Sequence, residues 1–123
     1  MNETLTAVAW ELHAPSATGG KRHRILVFGE YVVVGWGSFR GTMQYKVHYF
    51  MNADAQAVRN FALILTGDKE KKGYELAIAP VQSHLPASTW ATDLPELASV
   101  RGASYSLDLA FQLLFTQGAR ISA

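Results

Sequence analysis

The sequence predicts an α+β domain: an antiparallel sheet of about five strands, one amphipathic helix packed on it, and a further helix near the C-terminal end. Three observations carry this expectation. Short β-branched and aromatic runs follow one another across glycine-containing turns, as in RHRILVF-GE-YVVVGW. Two later segments, one beginning after Asp54 and one at Ser104, place their apolar residues at helical spacing instead. The chain has 123 residues, 49% hydrophobic and 17% charged, which suits one domain that buries a core without a metal or disulfide.

Taken in order, Thr6–His13 (TAVAWELH) suits a first strand, and the Pro/Ser/Gly-rich 14–20 segment a loop. Arg22–Phe28 and Tyr31–Trp36 read as two strands joined by Gly29-Glu30, a two-residue hairpin connection in which Gly29 is free to take positive φ. Gly35, Gly37 and Gly41 cluster where a strand bulges or something approaches the backbone closely. Thr42–Phe50 alternates, with Met43, Tyr45, Val47 and Tyr49 on one side and Thr42, Gln44, Lys46 and His48 on the other. One of these faces is expected in the core and the other toward solvent or a ligand. Asn52 or Asp54 caps a helix carrying Val58, Phe61, Ala62 and Leu65, with Gly67 as its expected stop. Asp68–Gly73 reads as a charged turn and Tyr74–Ala79 as a last strand ended by Pro80. The segment 81–102 reads as an irregular connection with a short helical turn near Pro95–Val100. Ser104–Gln117 is the second helix, with Leu107, Ala110, Phe111, Leu114 and Phe115 on its apolar face and Gly118 ending it.

The absence of cysteine excludes disulfides, thiol catalysis and cysteine-zinc sites. The four histidines, at 13, 23, 48 and 84, share no metal-ligand spacing. There is no G-x-S-x-G elbow, Walker A loop or strand-borne GxGxxG, so neither an enzymatic activity nor a cofactor is expected. No run approaches the roughly 18 apolar residues of a membrane span, and the N-terminal segment lacks a basic n-region, so a cytoplasmic protein is the expectation. Net charge is +1, unevenly placed: residues 21–72 hold nine Lys/Arg against four Asp/Glu, and both flanks are acidic. That asymmetry suits either a polyanion-facing surface or a solvated one.

The stretch from Tyr31 to Tyr74 has a recognisable order: strand, Trp36-Gly37, Gly41-Thr42 with Gln44 and Lys46 on one side, amphipathic helix with Ala57 and Phe61, then Lys69, Lys71, Lys72 and Gly73-Tyr74. It resembles the WGR domain, a small α+β module of poly(ADP-ribose) polymerases that also occurs alone in bacterial proteins. The resemblance covers about half the chain. It implies a WGR-like unit over residues 1–80, with the connection and helix of 81–123 packed on the same domain. The chain departs from the family at Trp36-Gly37-Ser38-Phe39-Arg40-Gly41. Ser38 stands where the family has Arg, the loop is one residue longer, and Arg40 is the guanidinium that remains in it.

The resemblance implies nucleic-acid binding, to DNA ends, nicks or structure, with Trp36 near a terminal sugar and base. The expected contact set is Trp36, Gly37, Arg40, Gln44, Lys46, Lys69, Lys71 and Lys72, extended by Lys21, Arg22 and Arg24. Each of these has a plainer reading, as core aromatic, turn glycine or solvated charge. The alternative function is a protein-interaction or adaptor module that kept this fold and lost nucleic-acid binding, with a partner or a second copy on the C-terminal apolar helix. An ADP-ribosyl transferase is not expected, because 49 residues after Tyr74 are far too few for its catalytic domain.

Overall fold

The alternating runs form a meander. In the computed structural model, which describes residues 3–17 and 19–121, β1 (Thr4–Ala14), β2 (Lys21–Phe28), β3 (Tyr31–Ser38) and β4 (Gln44–Tyr49) pair antiparallel in sequence order. After α1 (Ala55–Lys71), β5 (Glu75–Pro86) pairs with the other edge of β1. Then come α2 (Asp93–Ser99), α3 (Tyr105–Gln117) and a two-residue β6 (Ala119–Arg120) on β5. The α+β class is as expected; the described residues form six strands, in the order β4-β3-β2-β1-β5-β6, where about five were expected, and three helices rather than two. Gly29 takes φ +60 in the β2–β3 turn.

Both faces of the sheet are covered, which is why β2 and β3 carry unbroken apolar runs rather than strict alternation. On one face Ala7, Ala9, Leu26, Val33, Tyr45 and Val47 pack under α2 and α3, which bring Leu94, Leu97, Leu107, Phe111 and Leu114. On the other, Trp10, Leu12, Ile25, Val32 and Val34 pack under α1, which brings Val58 and Ala62. The apolar side of α3 is therefore spent on the chain's own sheet.

Three expectations need correction. The helix does not stop at Gly67. It runs through to Lys71, because an internal glycine costs only about 1 kcal/mol and the residues that follow are good helix formers. Its stop is Gly73, at φ +95, where the Tyr74 N–H donates to Lys69 O and the Gly73 N–H to Glu70 O. This is a Schellman cap, so the lysines of the expected turn lie on the last helical turn and its cap. Nor does Pro80 end the last strand. Ala9 pairs with Val81 and Glu11 with Ile78, leaving Ala79 and Pro80 both opposite Trp10. The bulge absorbs a residue that lacks a ladder N–H. Finally, 81–86 is strand rather than irregular connection, and the helix after it spans Asp93–Ser99.

The C-terminal part is fastened to the β4 edge. Tyr45 and Gly102 exchange backbone hydrogen bonds of 2.7 and 3.0 Å. The Lys46 Nζ donates to Ala98 O at 2.9 Å, and the Tyr45 hydroxyl donates to Asp108 at 2.5 Å.

Candidate nucleic-acid interface

The period-two alternation of the strands decides which candidate residues meet. Val32, Val34 and Trp36 face α1, so Trp36 lies at the end of that face, half-buried, with His23 of β2 and Gln44 of β4 as its cross-strand neighbours. Lys21 precedes His23 by two residues and shares its face, as Lys46 shares the face of Gln44.

The end of α1 supplies the other side of the patch. Its cap turns Tyr74 back over the last helical turn, where Lys69 Nζ stands 5.3 Å and Lys21 Nζ 5.7 Å from the centre of the phenol ring. The Tyr74 ring meets His23 edge-on at 6.1 Å. Lys72, one helical step of three from Lys69, belongs to the same group. Burial, then Lys72 and Lys21, lower the pKa of Lys69. Burial, then Lys69 and Lys72, push that of His23 down to about 4. His23 is 4% exposed, and neither ring nitrogen has a hydrogen-bond partner among the described residues. The patch closes at Arg101, whose guanidinium carbon lies 5.8 Å from the Trp36 ring centre.

Trp36, Gln44, Lys46, Lys21, Lys69 and Lys72 thus come together, joined by His23, Tyr74 and Arg101. Among the described residues, the ion pairs within 4 Å are those of Glu11 with His13 and Arg24, so none of these cations is neutralised at that range. No family model matches this chain, and no curated protein or solved structure matches it either. The likeness to the WGR domain therefore rests on the residues quoted above.

The remaining candidates lie elsewhere, and the alternation explains most of them. Arg22, Arg24, Gly35 and Gly37 point to the opposite face. Arg24 is buried, its guanidinium held by Glu11 at 2.7–2.8 Å and set 5.0 Å over Phe111, so it is a core ion pair rather than a ligand contact. Arg22 lies 5.5 Å over the Phe39 ring, and Phe39 packs edge-on against His13. What approaches the backbone closely at the glycines beside Trp36 is the chain's own core rather than a ligand. A Cβ on Gly35 would meet Tyr45 at 2.6 Å and Arg24 at 2.8 Å, and one on Gly37 would meet Met43 at 3.0 Å. Both glycines make room for the core. Arg40 is exposed on the β3–β4 loop, near Gly19. Lys71 is exposed and turned roughly 200° around the helix from Lys69.

His23, Tyr74 and Arg101 were missed as site residues for different reasons. His23 read as one of four scattered histidines, although its pairing with Trp36 follows once the hairpin register is drawn. Tyr74 read as a strand anchor, because its place depends on the helix cap. Arg101 has no local signal, being 65 positions from Trp36. Among the described residues no helix is long and apolar enough to cross a membrane.

Proposed function

We propose that this chain is a non-catalytic nucleic-acid-binding module, working through the α1-side end of the sheet around Trp36. One observation carries the reading: Lys21, Lys69 and Lys72 gather about Tyr74 and His23, and Lys46 and Arg101 lie beside Gln44 and Trp36, and among the described residues none of these five cations has a carboxylate at ion-pair range. Such a surface attracts phosphates, and its aromatic rings offer stacking to a base or sugar, worth ~1–3 kcal/mol per stacked base. The likeness of residues 31–74 to the WGR domain supports the same reading and favours DNA ends and nicks. The basic patch is built from strand ends and a helix end rather than from a helix face laid in a groove, so contacts to phosphate and sugar carry affinity without sequence.

Fluorescent DNA that is nicked and 5′-phosphorylated, intact or single-stranded tests this, at 50 and 200 mM salt, with wild type and Trp36→Ala. Four to six phosphate contacts predict a loss of roughly two to three orders of magnitude across that salt range. Trp36→Ala is expected to abolish the preference for the nick. A flat salt response, or no binding at 50 mM, defeats the reading. The second reading is a protein-binding module, favoured by Leu109 and Leu113, which α3 leaves 41% and 46% exposed beside a groove lined by Leu85 and Trp90.

A further inference from the structure

We infer that Arg101, carried by the C-terminal part of the chain, is a phosphate-contacting residue of the same surface, so that the segment 98–102 completes the nucleic-acid site. This rests on the reading above. Residues 73–123 are acidic, with two arginines against four Asp/Glu, yet one of those arginines stands over the one tryptophan of the basic patch.

The placement is built rather than incidental. Arg101 adjoins Gly102, whose N–H and C=O are both bonded to Tyr45 on the edge of β4. Three residues before it, Ala98 O accepts from Lys46 Nζ. These bonds fix the backbone on both sides of Arg101 and tie it to the strand that carries Gln44 and Lys46. The side chain itself is exposed, and among the described residues it has no carboxylate within 4 Å. The guanidinium carbon lies within cation–π reach of the indole. Among the described residues its N–H groups have no hydrogen-bond partner, which leaves them for a fork that grips two phosphate oxygens at once. Arg101 therefore sets an unpaired cation beside Trp36, where its fork can take the phosphate adjoining a base or sugar held at the indole.

Titrations of the nicked DNA between 50 and 200 mM salt, with Arg101→Ala, Arg101→Lys and Arg120→Ala, decide it. Arg120 lies on β6, at the opposite edge of the sheet from β4, and serves as the equal-charge control. Arg101→Ala is expected to bind roughly tenfold more weakly at 50 mM. Its log–log salt slope should be shallower by about 0.7–0.9, one phosphate contact. Arg101→Lys should keep the slope and lose part of the affinity, because an ammonium keeps the charge without the fork. Arg120→Ala should stay within about twofold of wild type. If Arg101→Ala matches Arg120→Ala while Trp36→Ala still abolishes nick preference, this inference fails alone. If the wild type does not bind, the proposed function fails and takes the inference with it.

Discussion

His23, on an inner strand of the sheet, has no partner for either ring nitrogen among the described residues and lies between Trp36 on the next strand, Tyr74, and the ammonium groups of Lys69 and Lys72. Burial first, then the two ammonium groups, disfavour the imidazolium, and the pKa falls from 6.5 to about 4. The unfolded chain takes up this proton near pH 6.5, and the folded one resists it until about pH 4. Stability is therefore full above pH 6.5 and drains away as pH falls through that window. The loss amounts to something on the order of 3 kcal/mol. Urea unfolding at pH 7.5 and pH 4.5 should register most of it, and His23→Leu should remove most of the difference. His48, also lowered by burial and by Lys46, leaves a smaller residual slope. An undiminished acid loss in His23→Leu would show that the imidazole is not the group responsible. At this scale the sequence was a mixed guide. Trp36 stands out from its neighbours in the chain, whereas the burial of His23 is a property of three strands and a helix end.

The elements were legible where a local rule governs them. Apolar, β-branched runs between loop and turn residues located β1 to β3, alternation located β4, and a cap at Asn52 or Asp54 with apolar spacing located α1, whose first turn is held by the Ala57 N–H donating to the Asp54 carboxylate at 2.8 Å. The boundaries were lost where tertiary structure outweighs a local breaker. Gly67 and Gly73 are two glycines six residues apart with opposite roles, and backbone conformation tells them apart. Gly67 is helical, and an added Cβ meets nothing within 4 Å. Gly67→Ala should thus stabilise the protein by ~0.5–1 kcal/mol. Gly73 holds φ +95, so Gly73→Ala should destabilise by about 1 kcal/mol or more despite equally open space. It should also loosen Tyr74 and with it the basic patch. Thermal melts of the two variants, compared with wild type, check this. Equal effects of the same sign would contradict the assignment of the helix end. The site itself followed the elements: Lys69 and Lys72 could be joined to Trp36 only once KEKK was known to be helix, and Arg22 and Arg24 could be set aside only once the register was fixed.

At the scale of the molecule, the question is whether the C-terminal third is an appendage or part of one cooperative unit. The side chains argue for one unit. Phe111 is fully buried, stacked at 5.9 Å on Tyr45, and faces the Arg24 guanidinium that Glu11 holds. Through Tyr45 and Asp108 the same cluster ties α3 to β4, the strand that also carries Gln44 and Lys46 of the basic face. Removing the ring would leave a cavity beneath α3 and strip the Arg24–Glu11 pair of its cover. Phe111→Ala is therefore expected to cost ~3–5 kcal/mol, a large share of the 5–15 kcal/mol typical of a domain. If the chain is one unit, Trp10, which packs on the far side of the sheet under α1, must report this loss. Urea unfolding followed by tryptophan emission and by circular dichroism should give one coincident transition, moved to lower urea with its slope unchanged. Two separated transitions, the earlier one confined to helix signal, would mean that α3 melts from a sheet that persists without it. In that case Arg101 would hang from a detachable segment, and nucleic-acid binding would weaken in step with the first transition rather than the second.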